Sequence, residues 1–483
     1  MSRVRGVVAV LVAAALLLGS MPAWAAAPSM ADLERTVEAL KSRIRDQERR
    51  VAELEDNQDD QARQEEIRKI VDEVVDGIGP DDFRIYWDNG LRAKTGDGRL
   101  KMKIGGRLMY EWTWIEGNDI ENNFAGSGTD FENLQDGKEV RRARLYWEGE
   151  WNKKIKFKWQ YDWADSPVVK DLYLELKQLP VVGNLRMGHF KEPFGLEELT
   201  SSKYDTFVEQ ASMNVFAPSR NAGFMLHDAI LDDRVTWAAG LFQDTSDDPA
   251  NDQYDEGQAV RDGDEQFTMR VTGLPWYAEE GRQLLHAGFA YSYRSREHNL
   301  RFRQRPEAHL SPRFINTGNL GMIDHESRIG AELAGVFGPF HFQSEYMTSL
   351  VQMSDDVNQD DPSFDGWYIQ VGYFLTGEHR PYKKSSGYFN RVKPKSNWDE
   401  GGTGAWEIAA RYSQLDLTDS GINGGVMENY TLGINWYLNP NVRIMWNYIH
   451  SQVEDVGGLG VPVAWRGIDD DADLFLMRLQ VDF

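Results

Sequence analysis

Read at a period of two, the chain puts Lys103, Arg107, Arg142, Arg144, Lys156, Lys158, Lys177 and Arg186 on one side of successive segments, opposite Met102, Ile155, Leu172 and Leu185. Glu111, Glu148, Asp162, Asp171 and Glu175 share the polar side. Cations outnumber anions there, although the whole chain has Lys+Arg 53 against Asp+Glu 77 and a net charge of -24. Ladders of Arg and Lys are how narrow pores favour anions, because close fixed charges offset part of the hydration an ion gives up. The same spacing also fits a wall network in which each cation pairs with a neighbouring carboxylate and selects nothing. Arg141 falls in phase with Ala143 and Leu145, so it reaches the polar side only through a bulge, or else lies near a rim.

Other chemistries find little support. The chain has no Cys, which excludes a disulfide scaffold and a thiolate metal site, and its acidic balance excludes a basic nucleic-acid binder. The nine His residues form no H-x-x-x-H cluster; His189, His286, His325 and His341 qualify as catalytic only by type, so neither an enzyme nor a cofactor is expected. Acidic stretches such as Asp232-Asp233, Asp247-Asp248 and Asp469-Asp470-Asp471 lack ordered calcium-ligand spacing. They suit solvation and divalent cations at a lipopolysaccharide surface.

The elements that carry these residues follow three segments of different character. Residues 1–25 have Arg3 and Arg5, an apolar run from Val7 to Leu18 and Ala23-Trp24-Ala25, the layout of a cleaved secretory signal peptide. The run is short for a bilayer-anchoring helix, the competing reading. Residues 26–80 are expected to form a periplasmic coiled coil and hinge. Leu33, Val37, Leu40, Ile44, Val51 and Leu54 make one heptad seam, and Ile67, Val71, Val74 and Ile78 continue it after a phase shift. Gly77-Ile78-Gly79-Pro80 stops the helix, and residues 81–98 read as a linker.

From residue 99 to 483 the period becomes two. Phe475, Met477, Leu479, Val481 and Phe483 alternate with Arg478, Gln480 and Asp482, as Ile155, Phe157, Trp159 and Tyr161 do with Lys156, Lys158 and Gln160. About sixteen such strands are expected, joined alternately by tight turns and long acidic loops. Trp and Tyr near the strand ends match interfacial girdles, and closure removes exposed edges. An all-β antiparallel transmembrane barrel therefore fits better than a soluble sandwich or propeller.

Between Val140 and Leu226 the chain resembles a known group. Arg141-Arg142-Ala143-Arg144-Leu145, Lys170-Asp171-Leu172-Tyr173-Leu174-Glu175, and above all Gly188-His189-Phe190-Lys191-Glu192-Pro193-Phe194-Gly195 through Ser202 are similar to the phosphate-selective porin O and P family. The resemblance implies a homotrimeric, sixteen-stranded channel of the bacterial outer membrane that passes small anions, its third loop folded inward. It further implies that Arg141 and Arg142 are the family's paired arginines, Lys203 its constriction lysine, and Phe483 the C-terminal aromatic recognised by the barrel assembly machinery. Past Lys203 the loop has no Arg before Arg220, a departure from a full set of phosphate ligands. Lys203 is alternatively a loop anchor paired with Asp205 or Glu198. A weakly selective porin that also tethers the envelope through its coiled coil is the second functional reading.

Trimerisation through both barrel and heptads leads to a test. Deleting residues 31–78 should weaken trimers on native gels while single-channel steps persist; barrels that become wholly monomeric would assign the assembly to the heptads alone.

Overall fold

A computed structural model describes residues 83–117, 135–164, 167–243, 265–295, 300–355, 360–456 and 468–483. The signal-peptide and heptad segments lie outside these residues.

Strands β1 (Phe83–Trp87) and β2 (Leu91–Thr95) precede the barrel. Its first half is β3 (Leu100–Gly117), β4 (Gly137–Trp151), β5 (Ile155–Asp162), β6 (Val168–Leu179), β7 (Gly183–Lys191), β8 (Arg220–Ile230), β9 (Val235–Gln243) and β10 (Glu265–Ala278). After β11 (Gln283–Ser295) come a short ladder of β12 (Arg303–Gln304) and β13 (Ile315–Asn316), then β14 (Ile323–Phe337), β15 (Phe340–Met353) and β16 (Ser363–Phe374). A second short ladder, β17 (Tyr382–Lys383) with β18 (Tyr388–Phe389), precedes β19 (Ala405–Asp419), β20 (Ile422–Asn439), β21 (Val442–Val456) and β22 (Ile468–Asp482). Sixteen strands pair antiparallel with their neighbours, and β22 returns to β3 from Ala472–Gly117 to Asp482–Arg107, closing the sheet.

The two faces are inverted relative to a water-soluble protein. Leu108, Phe224, Leu241, Leu432 and Ile434 stand exposed on the outside, while Arg294, Arg328, Arg443 and Arg478 are fully buried within. Large charged side chains are rarely buried unless paired, and an apolar outer band belongs against hydrocarbon. This distribution excludes the soluble sandwich.

Turn chemistry separates the two ends. Asn152 and Lys153, and Leu231 through Asp233, take left-handed φ values in the tight turns after β4 and β8. The 28 residues between Lys191 and Arg220 are a long connection at the other end. Alternation of tight and long connections is not strict: β19 and β20 are joined by two residues, Ser420 and Gly421, at the long-loop end, and residues 375–404, between β16 and β19, form a long segment at the tight-turn end. Glycines and prolines break any periodic signal there. The segment turns back into the barrel, where Arg270 donates to the Gly387 carbonyl at 2.8 Å, Arg380 donates to Gln343 Oε1 at 2.8 Å, and Tyr382 OH meets His286 Nδ1 at 2.7 Å. Gly387 has φ 68°, and a Cβ there would lie 2.9 Å from the hydroxyls of both Thr236 and Thr272, so glycine is required for this approach.

Residues 83–95 are a hairpin rather than a plain linker. Its β2 pairs with β3 from Leu91–Ile104 to Lys94–Lys101, continuing the edge just beyond the end of β22. Phe483 lies at the junction, its N–H donating to Gly106 O at 3.1 Å and its carbonyl accepting from Gly106 N–H at 2.9 Å. The Trp87 ring stacks on Phe483 with centroids 5.9 Å apart. Such ring pairs contribute about 1 kcal/mol beyond their buried area. Trp87→Ala should therefore lower the temperature at which the barrel unfolds in detergent by a few degrees, read from the folded and unfolded bands on gels, whereas Ile85→Ala should not. Equal melting of both variants would show that the hairpin does not secure the seam.

Candidate functional site

The connection from Glu192 to Ser219, the third at the long-loop end, enters the barrel interior. Gly195, at φ 75°, turns the chain into a single helical turn, α1 (Leu196–Leu199). The Leu196 and Glu197 N–H groups donate to the Glu345 carboxylate of β15 at 2.6 and 2.8 Å, and Tyr368 OH donates to the same carboxylate at 2.6 Å. Beyond α1 the loop backbone is bound by one wall residue after another. Gln480 donates to Lys203 O at 3.0 Å, Arg443 to Asp205 O at 2.7 Å, Asn435 to Thr206 O at 2.8 Å, and Arg411 to Glu209 O at 3.1 Å. Asn447 Oδ1 accepts from Val208 N–H at 2.7 Å, and Arg328 donates to Phe216 O at 3.1 Å. The loop thus lies across the lumen, fixed by β14, β15 and β19–β22. Leu196 packs with Phe389 of β18, so the loop and the 375–404 segment meet inside the barrel.

The wall cations divide into two sets. Between β3 and β4 the register shifts, Met109 pairing with Arg142 and Tyr110 with Val140, so Arg141 is the extra residue of a bulge. The bulge turns Arg141 inward, where it grips Glu209 of the loop at 2.9 and 3.2 Å. Arg142, at 3.5 Å, and Arg478, at 2.6 Å, reach the same carboxylate. Arg144 is paired with Asp162 at 2.5 Å, Lys158 with Asp171 at 2.6 Å, and Arg186 with Glu175 at 2.6 Å. Lys103, Arg107, Lys156 and Lys203, in contrast, have no carboxylate within 4.0 Å among the described residues.

Three of these four gather at one place. Arg107 donates to Ser202 Oγ at 2.5 Å. The Lys103, Lys158 and Lys203 ammonium groups lie 5.4, 5.7 and 5.5 Å from the centroid of the Tyr146 ring. The alternative loop-anchoring pairs of Lys203 do not form: Glu198 takes the Lys191 ammonium at 2.8 Å, and Lys203 instead lies 5.6 Å from the Tyr204 centroid. Burial pushes the Lys203 ammonium down to about 7; Arg107, Arg391 and Lys103 act in the same direction, and Asp482 opposes them. Lys156 lies apart from this group, cross-strand from Glu150 and Glu175.

Sequence periodicity gave no sign of Glu209, Arg391 or the ring platform of Tyr146. Arg391 comes from the irregular 375–404 segment and sits 5.4 Å from the Tyr204 centroid. Asp482 could have been found from the pleat, since it shares the inward phase of Arg478 and Gln480. Chemically, the constriction offers several ammonium and guanidinium donors, two phenol rings and few free acceptors, an arrangement suited to small anions.

Comparison with known proteins agrees with this architecture. The chain is 28% identical over 450 residues to Porin O of Pseudomonas aeruginosa, covering 83% of this chain and 93% of that protein. It is 29% identical over 377 residues to an uncharacterized protein of Caulobacter vibrioides, covering 75% of this chain and 71% of the relative. Among solved structures, the anion-selective porin from Comamonas acidovorans shares the fold at a TM-score of 0.50 and 11% identity, over 80% of this chain and all of that one. Residues 116–483 match the model of phosphate-selective porin O and P, and the chain belongs to that family.

Proposed function

We propose that this barrel is a bacterial outer-membrane porin for passive diffusion of small anions, with phosphate or polyphosphate among its solutes. One observation carries the reading: Lys103, Arg107 and Lys203 collect beside the inward loop with no ion-pair partner among the described residues, while the remaining early wall cations apart from Lys156 are paired. Paired cations hold the loop and wall in place. Those without a pair keep their charge available to a passing ion, as a selective wall requires and a self-neutralised network does not. Lys203 combines a compact ammonium with three donors, suited to brief capture and release of an oxyanion.

The family kinship supports the same reading. It also supports a homotrimer in contact with outer-membrane lipid and lipopolysaccharide, inserted by the barrel assembly machinery through Phe483. In this orientation the tight-turn end and the preceding heptads face the periplasm.

Bilayer recordings test selectivity directly. Lys103→Glu with Lys156→Glu reverses two charges that hold no partner in place, so the barrel should fold while its reversal potential in a KCl gradient moves toward cation preference. An unchanged potential would place both residues away from the ion path. Titration supplies a second test. Lys203 loses its charge as pH rises through about 7, so block of chloride current by sulfate, which does not itself titrate there, should weaken between roughly pH 6 and 8. Lys203→Gln should abolish that dependence; if it leaves the pH profile intact, another group controls the block.

A further inference from the structure

One carboxylate close to the constriction cations is held by fewer groups than the other wall carboxylates. Asp482 is the residue before the C-terminus and is 2% exposed. Its backbone lies opposite that of Arg107 across the β22–β3 seam, and its side chain is in ion-pair contact with Arg391. Arg391 is the one ion-pair partner of its carboxylate among the described residues. Other wall carboxylates are held more securely: Asp162 also accepts the N–H groups of Ala143 and Ala164 at 3.0 and 3.2 Å, Asp171 holds both Lys158 and Arg220, and Glu209 takes three arginines.

Asp482 lines a cavity with Lys203, Tyr204, Arg391, Arg443 and Gln480 whose free volume is about 10 Å³, room for about one water. A phosphate or sulfate cannot join these cations unless something withdraws. The Asp482 backbone is fixed, its N–H donating to Asn441 O and its carbonyl accepting from Asn441 Nδ2, both at 2.8 Å, so the movable part is the side chain. Arg391 would stay oriented without it, because it also donates to the Pro440 carbonyl and faces the Tyr204 ring.

We infer that the Asp482 carboxylate is a resident counter-anion of the constriction. It occupies the place of an oxyanion against Arg391, and a permeating oxyanion binds there by displacing it. A carboxylate and a phosphate both present paired oxygens to a guanidinium fork, so one can replace the other with little rearrangement of the donors. Asp482 thereby limits how tightly the pore holds its anion. This assignment rests on the anion-porin reading and adds a specificity-determining residue to it.

Full-length Asp482→Asn, which keeps the terminal Phe483, tests it in planar bilayers by phosphate block of chloride current. The half-blocking concentration should fall about tenfold, the change expected when a single competing charge is removed. The double variant Asp482→Asn with Arg391→Gln should return near the wild-type value, because the pair is lost together. Unchanged or weaker block in an inserted Asp482→Asn channel overturns the assignment. Should that variant fail to insert, the double variant is compared with Arg391→Gln alone, and equal block in those two overturns it as well. Wild-type channels lacking anion preference would instead defeat the porin reading itself.

Discussion

Closure of the sheet between β22 and β3 is the constraint on which the rest of the structure depends. A strand in hydrocarbon cannot leave N–H and C=O groups unpaired, so every strand needs two neighbours, and the first strand must find the last. Once closed, the pleat divides the residues without exception along each regular strand: one phase meets lipid, the other a narrow interior. The buried polar residues follow from this topology rather than from any preference of arginine or glutamate for burial. The seam carries further consequences, since it sets Asp482 beside Arg107 and brings Phe483 between Gly106 and the β1–β2 hairpin.

Interior charge then has to be compensated locally. An unpaired buried charge is costly, and most inward arginines accordingly meet carboxylates: Arg478 with Glu111, Arg270 with Glu332 and Arg328 with Glu326. Glu209 is the extreme case, a loop carboxylate shared by Arg141, Arg142 and Arg478. Removing it would leave three guanidinium groups facing one another and free the loop at that point. Against this background the lack of an ion pair at Lys103, Arg107 and Lys203 among the described residues is informative. Partial hydration and tyrosine rings keep such a cluster tolerable, and the energy not recovered from ion pairs remains available to a mobile anion.

Much of the barrel was legible because a period of two survives wherever one face meets lipid. Sixteen strands emerge from alternation, although their ends differ: alternation suggests 441–450 where β21 runs Val442–Val456, since the polar tail beyond His450 loses the apolar phase. The pleat also assigned Lys103, Arg107, Arg142, Lys156 and Arg186 to the interior. It could not say which of them are paired, because pairing depends on register, and bulges such as those at Arg141 and between Gln160 and Tyr161 shift register without a clear sequence signature. Loops carry no period at all. Glu209, Arg391 and the inward course of residues 375–404 therefore became visible only in three dimensions, as did the hairpin that replaced the expected linker.

The inward loop is rigid for a reason that constrains how ions pass it. Its carbonyls at Lys203, Asp205, Thr206, Glu209 and Phe216 are each taken by a buried wall donor, and its N–H at Val208 by Asn447. Moving the backbone would orphan several of these groups at once, at about 1–3 kcal/mol for each one left buried and unsatisfied. From the opposite end, the 375–404 segment presses Phe389 against Leu196 and closes off the space into which the loop could retreat. Neither element can swing aside as a gate without breaking this combined network. Adjustment to an ion in the constriction therefore falls to side chains whose tethers are weak, the Lys203 ammonium over its two rings and the Asp482 carboxylate beside Arg391.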